Sequence, residues 1–184
     1  DNPVPLGYSC SGEVVGVAGD VQGISVGHRV ACAGAGHANH SELNLVPKNL
    51  AVRIPDGVSY EEAAFTTVAS IALQGIRLAD VRLGERIAVI GLGLIGQITV
   101  QLLKAAGCRV LGMDIDSFVI TKAQENGTDL TINNSSEDVE GVVASFTEGY
   151  GVDATLITAS TPSDGPIELA GEIADGVLLN WASP

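Results

Sequence analysis

The stretch RIAVIGLGLIGQ, residues Arg86 to Gln97, decides the fold of this 184-residue chain. After its first residue, Arg86 to Ile90 is a continuous apolar run, the pattern of a parallel strand covered on both faces. Gly91, Gly93 and Gly96 then make a GxGxxG turn, and Leu94 to Ala106 reads as a helix that stops at Gly107. Three spaced glycines arise by chance in a glycine-rich chain, so context decides. Here the motif follows a strand and opens a helix, and Asp114 closes the next strand, 18 residues beyond Gly96.

Each part has a physical job. Gly91 permits the tight turn out of the strand, Gly93 lets the backbone approach a pyrophosphate, and Gly96 lets helix and strand pack closely. The free N–H groups at Leu94 and Ile95 would face phosphates with the positive end of the helix dipole. Asp114 would accept hydrogen bonds from the adenosine ribose, and its charge repels the extra phosphate of NADP. The next positions, Ile115, Asp116 and Ser117, offer no arginine to reverse that preference. The expectation is a Rossmann-type unit that takes NAD rather than NADP. Its cofactor-contacting candidates are Gly91, Gly93, Leu94, Ile95, Gly96, Asp114, Ile115 and Ala159. The bland alternative is a glycine-rich turn in some other doubly wound fold.

Downstream the rhythm continues as βα units. Arg109 to Asp114, Leu130 to Asn133, Val152 to Thr158 and Val177 to Trp181 read as strands. Ser117 to Asn126, Ser136 to Glu148 and Ile167 to Ala174 read as helices between them. Repeated βα units mean a parallel sheet. Upstream, Gly12 to Val17, Arg29 to Ala33, Glu42 to Val46 and Lys48 to Ile54 are short strand-like runs, the last ending at a Pro55-Asp56-Gly57 turn. They predict an antiparallel, barrel-like region. Ser59 with Glu62 predicts a capping box opening one helix to about Leu78. The fold class is thus α/β, a Rossmann doubly wound sheet preceded by a β domain. The domains are residues 1–69 and 70–184, the second without a sixth strand.

Composition bounds the partners. A formal charge of −13 argues against nucleic acid and anionic membranes, whose phosphates it would repel. No apolar run reaches membrane-spanning length. Cys10, Cys32 and Cys108 show no paired spacing, which argues against a disulfide scaffold and suits a reducing, cytoplasmic setting.

Beyond the glycine motif, three segments carry a family resemblance. Pro5 to Val30 (PLGYSCSGEVVGVAGDVQGISVGHRV), Asn39 to Ala64, and Glu85 to Asp116 follow one another as in the medium-chain dehydrogenases/reductases, the superfamily of zinc alcohol dehydrogenases and quinone reductases. The resemblance implies a partial chaperonin-10-like catalytic domain before the Rossmann domain, hydride transfer to or from a carbonyl or alcohol, and a homodimer. In its zinc-dependent members a Gly-His-Glu histidine binds the metal; here that stretch reads Gly7-Tyr8-Ser9. A cysteine ligand position falls on Thr67 or Val68. Catalytic zinc is therefore not expected, no metal ligands are assigned, and Tyr8 and Thr67 become the catalytic candidates, Tyr8 as a donor to a developing oxyanion. His37-x-x-His40 lacks an obvious third ligand and reads as ordinary surface or packing histidines.

The runs GLGLIGQ, ACAGAGHANHSEL and LITASTPSDGPIELAGEI also resemble the dehydrogenase half of bacterial two-domain oxidoreductases, which implies a sugar or polyol substrate. Two alternatives to a zinc-independent NAD(H) oxidoreductase stand beside it. One is a dinucleotide-binding module without turnover; the other is part of a zinc-dependent alcohol or polyol dehydrogenase.

Overall fold

The computed structural model describes the backbone of residues 5–180, and the surroundings of side chains as far as Ala174. The chain divides into two compact units, residues 1–70 and 71–184.

In the first unit, β1 (Ser9–Glu13), β2 (Arg29–Ala33) and β3 (Ala51–Arg53) form an antiparallel sheet in that order. Side chains alternate between faces, as the pleat requires. Val30 and Cys32 pack with Ala38 in one cluster, while Ala31 packs with Ile54 and Ala63 in another. Among the described residues this is a three-stranded sheet rather than a closed barrel.

Three expectations for this unit are corrected. The first strand is Ser9–Glu13, not Gly12 to Val17, because the buried strand β2 fixes the register from Ser9↔Ala33 to Glu13↔Arg29. Glu42 to Val46 is not a strand. Asn44 there turns the chain on itself, donating from Nδ2 to the Asn39 carbonyl at 2.9 Å and accepting from the Asn39 N–H at 3.1 Å. Such Asn side chains offer the backbone a local alternative to a ladder. The single helix from Ser59 is two: α1 (Tyr60–Ala63) and α2 (Thr66–Ala79). The Thr66 hydroxyl donates to the Ala63 carbonyl at 2.7 Å where the first helix ends. The capping box itself is present, with Glu62 Oε2 accepting from the Ser59 N–H at 2.7 Å and Ser59 Oγ from the Glu62 N–H at 3.1 Å. The Ser59 N–H bond holds the exposed Glu62 carboxyl below its ordinary range.

The second unit runs β4 (Arg86–Ile90), α3 (Leu94–Ala105), β5 (Arg109–Asp114), α4 (Ser117–Glu125), β6 (Leu130–Asn133), α5 (Val139–Thr147), β7 (Val152–Ile157), α6 (Gly165–Ile173), β8 (Ala174–Asn180). Its five strands are all parallel, in the order β6-β5-β4-β7-β8. The strand-like apolar runs become central strands because both faces are covered. Ile87 and Val89 pack with Val100, Leu103 and Val110 on one side, and Ala88 and Ile90 with Leu111, Met113 and Phe146 on the other. Gly107 ends α3 at φ +82, as its place after the last apolar turn requires.

Several ends move by a few residues. α5 starts at Val139 because Asp138 caps it, accepting from the Gly141 N–H at 3.1 Å. α6 starts earlier than expected, with Pro166 in its first turn. The last strand begins at Ala174 rather than Val177, and Trp181 lies outside the described residues.

From β4 the chain builds outward through β5 and β6, then crosses back to β7 and β8. The reversal falls between β4 and β7, and open α/β sheets bind ligands beyond the carboxyl ends of their strands at such a point.

Candidate dinucleotide-binding site

The glycine turn leaves β4 at this reversal. Gly91 has φ +96, and a side chain there would be driven into the backbone of Ala159, with Cβ 2.6 Å from its Cα. Gly91 is therefore dictated twice, by its left-handed backbone and by the loop after β7. Gly96 is dictated by packing alone: a Cβ on it would overlap the Gly91 carbonyl oxygen and stand 3.0 Å from Thr158 Oγ1. Gly93 is different. Its φ is −66, it is exposed, and a Cβ would meet nothing within 4 Å. Nothing in the fold demands a glycine there, and the open space leaves the backbone accessible to close approach by an outside group.

Gly93 is also the N-cap of α3, and no side chain caps this helix. Asp116 and Asp138 do cap α4 and α5. The first turn of α3 carries no acidic residue either. A helix start without side-chain acceptors leaves its N–H groups and the positive end of its dipole available to an anion. Leu94 is exposed and Ile95 half-buried at this end, while the Leu92 side chain is fully buried and anchors the loop. Gly112 in β5 makes room for it, since a Cβ there would lie 3.2 Å from Leu92 Cδ2.

Asp114, at the end of β5, reaches back to this loop. Its Oδ2 accepts from the Leu92 N–H at 2.6 Å, and its Oδ1 from the N–H groups of Ile115 and Asp116 at 2.7 and 2.9 Å. A carboxylate has about four acceptor positions, so three are used within the chain and about one is left. Ile115 is exposed, and Asp116 is committed to capping α4 through the Phe118 N–H at 2.8 Å.

Sequence reading missed two further braces. Thr158 donates from Oγ1 to the Gly91 carbonyl, while its own N–H bonds the Ile90 carbonyl at 2.8 Å. Gln97 donates from Nε2 to the carbonyls of Leu92 and Val119, both at 2.8 Å, and accepts from Asn126 Nδ2 at 2.9 Å. The available signals were a threonine closing β7 and a glutamine directly after the third glycine. Thr158, though, reaches a carbonyl 67 residues away, and Gln97 bonds Val119 and Asn126, 22 and 29 residues away, besides the nearby Leu92. The turn thus has fixed carbonyls and an open row of N–H groups. That is the kind of donor set a pyrophosphate needs, with the Asp114 carboxylate beside it.

The structure gathers Gly91, Gly93, Leu94, Ile95, Gly96, Asp114, Ile115 and Ala159 at the carboxyl ends of β4, β5 and β7. Tyr8 and Thr67 belong to other elements. Tyr8 precedes β1, is exposed, and its carbonyl accepts from the Gly34 N–H at 2.9 Å. Thr67 lies in the first turn of α2, half-buried, with its hydroxyl 3.4 Å from the Cys32 carbonyl. Its neighbour Val68 is buried and apolar. His40 packs its imidazole against Gly7, and His37 lies beside Gly34 with Cδ2 3.5 Å from where a Cβ would stand. Among the described residues, no group of three His, Cys, Asp or Glu side chains is placed to hold a metal ion.

Comparison with known proteins agrees with this geometry. Residues 95–165 match the family described as zinc-binding dehydrogenase. The chain is 32% identical over 158 residues to D-guloside 3-dehydrogenase of Shigella flexneri, covering 84% of the chain and 44% of that enzyme. A solved 2R,3R-butanediol dehydrogenase from Bacillus subtilis superposes with a TM-score of 0.80 at 27% identity, covering 99% of the chain and 60% of that structure. Quinone oxidoreductase of Escherichia coli, solved with NADPH, shares the fold with a TM-score of 0.83 at 22% identity, covering 97% and 55%. The chain spans about half the length of the curated relatives it matches. Fold, glycine turn and relatives converge, and the chain belongs to the medium-chain dehydrogenase/reductase superfamily.

Proposed function

We propose that this chain serves an NAD(H)-dependent, zinc-independent oxidoreductase that moves hydride between the nicotinamide and a secondary alcohol or its ketone on a polyol or sugar derivative. The observation that carries the cofactor half is Gly93, an exposed glycine required by nothing within the fold and sited at an uncapped helix start beside Asp114. NAD supplies the hydride acceptor when bound. The chain's residues bind and orient. N–H groups at Leu94 and Ile95 hold the pyrophosphate, Asp114 takes a ribose hydroxyl on its free acceptor position, and Ile115 and Ala159 flank the nucleotide.

The choice of NAD follows from charge. A 2′-phosphate would lie beside Asp114, with Asp116 two residues on and no cation in residues 115–117. The donor set supports zinc independence: a phenol at Tyr8 and a hydroxyl or Val68 methyls at the second position are not among the good ligands zinc needs. The zinc-binding-dehydrogenase match lies at residues 95–165, away from both positions. Tyr8 then holds the substrate oxygen by its hydroxyl, donating as negative charge develops there and accepting the proton back in the reverse direction. Thr67 positions from the first turn of α2. Two relatives that match this chain are named for sugar and polyol chemistry, which favours that substrate class.

The test is steady-state turnover by the protein expressed from its whole gene, with NAD and a panel of polyols and glycosides and with NADH and keto-sugars. Turnover with NAD and without added zinc is the expected result. NADH binding without turnover of any panel member would instead favour a nucleotide-binding module.

A further inference from the structure

β1 and β2 set Cys10 directly opposite Cys32. The inter-strand bonds of this ladder fall on even-numbered residues of β1 and its flanks: Gly34 donates to the Tyr8 carbonyl and Val14 to the His28 carbonyl, both at 2.9 Å. Cys10 and Cys32 are therefore a hydrogen-bonded pair, whose Cα atoms stand about 5.5 Å apart in antiparallel sheets. That spacing lies inside the window a disulfide requires. Directly opposed residues project to the same face of the sheet, so the two thiols are neighbours across the ladder. Both line a cavity of about 340 Å³, where Asn44 Nδ2 stands 3.7 Å from Cys10 Sγ. Cys10 is half-buried and Cys32 buried, so a small reagent entering the cavity meets Cys10 first.

We propose that Cys10 and Cys32 form a dithiol modification site that closes reversibly to a cross-strand disulfide by exchange with a low-molecular-weight disulfide. The Cys10 thiolate attacks one sulfur of the small disulfide, forming a mixed disulfide and expelling one small thiolate. The Cys32 thiolate then attacks the Cys10 sulfur, forming the Cys10–Cys32 bond and expelling the second. Two protein thiols are oxidised, one small disulfide is reduced to two thiols, and the two protein protons pass to the departing thiolates. Burial raises both thiols, Cys32 to about 11 and Cys10 also upward, so little thiolate is present at neutral pH and closure is slow. The charged residues lining the same cavity are Glu13, Glu42 and Lys48. Cys108 belongs to the other unit, is buried, and donates to the Arg82 carbonyl at 3.5 Å.

Incubation of the chain with glutathione disulfide, alkylation of the remaining thiols and trypsin digestion read the outcome. Cleavage after Arg29 separates the two cysteines, and Lys104 and Arg109 isolate Cys108. The expected product is residues 1–29 linked to residues 30–48, reversed by dithiothreitol, with Cys108 alkylated. The Cys108→Ser variant gives the same linked peptide, and Cys32→Ser stops at Cys10 carrying glutathione. Glutathione remaining on Cys10 of the unaltered chain overturns the proposal. So does a link that includes Cys108, or three free thiols under conditions that close a small dithiol control.

Discussion

Asp114 braces the glycine loop by accepting from three backbone N–H groups, so its substitution acts on the loop as well as on the ribose contact proposed for it. Asp114→Asn leaves one acceptor oxygen for three donors. The expected cost is about 1–2 kcal/mol of stability in urea unfolding, together with about a tenfold narrowing of the preference for NADH over NADPH, or about 1.4 kcal/mol. Unchanged selectivity in a folded variant would remove Asp114 from ribose recognition. At Tyr8, Tyr8→Phe keeps the ring and deletes the donor. Turnover should fall by about 10²-fold or more with NADH affinity unchanged; equal turnover would assign Tyr8 to space-filling. The sequence showed Asp114 by its spacing, yet not its bonds to Leu92, Ile115 and Asp116. Which acceptor positions a carboxylate has left depends on how the chain folds over it, and residue type is silent on that.

At the scale of elements, two glycines of one motif should behave in opposite ways. Gly96→Ala forces a methyl into the Gly91 carbonyl between strand and helix and should cost about 2–3 kcal/mol, measured as a lowered denaturation midpoint. A wild-type midpoint would show that β4 and α3 are not in the close contact described. The far end of α3 gives a pH-dependent case. Lys104 Nζ and the Val110 N–H each bond Asp129 Oδ2 at 2.6 Å. Burial raises Asp129, but these bonds and the Lys104 charge outweigh it, and the carboxyl titrates below its ordinary value. A depressed carboxylate stabilises above its unfolded pKa and loses that contribution as pH falls through the folded one. Asp129→Asn should therefore cost about 1 kcal/mol at pH 7, a figure held down by partial exposure, and the gap to wild type should close below about pH 4. A gap that stays constant with pH would mean the contribution is packing. The βα rhythm was legible because buried parallel strands such as Ile87 to Ile90 need unbroken apolar runs. Glu42 to Val46 misled for the converse reason: its alternation suits a strand, but Leu43 and Leu45 are exposed and Asn44 satisfies the turn locally. The break at Ala64–Phe65 left no composition signal, since both residues are tolerated in helices.

At the scale of the whole molecule, the two units differ in what they disclose. The parallel-sheet unit carries its candidate site in one contiguous motif, so the place of that motif at the strand reversal was readable from spacing and connectivity. Thr158 was not, because it joins that site only through a contact distant in sequence, and the bonds of Gln97 to Val119 and Asn126 are equally non-local. In the antiparallel unit the candidates Tyr8 and Thr67 rest on positions within a family pattern, and no periodicity singles them out. No helix among the described residues is long and apolar enough to cross a membrane. Gly93 is the one glycine of the turn with no neighbour in the fold within 4 Å of an added Cβ, and the proposed cofactor reading rests on it. Calorimetric titration of NADH into the unaltered chain and into Gly93→Val tests it most directly. Thermal stability should stay within about 0.5 kcal/mol of wild type, since nothing lies within 4 Å of the added Cβ. NADH affinity should fall by tenfold or more, about 1.4 kcal/mol. A Gly93→Val chain that binds NADH as tightly as the unaltered one would contradict the account, as would an unaltered chain that binds no NADH.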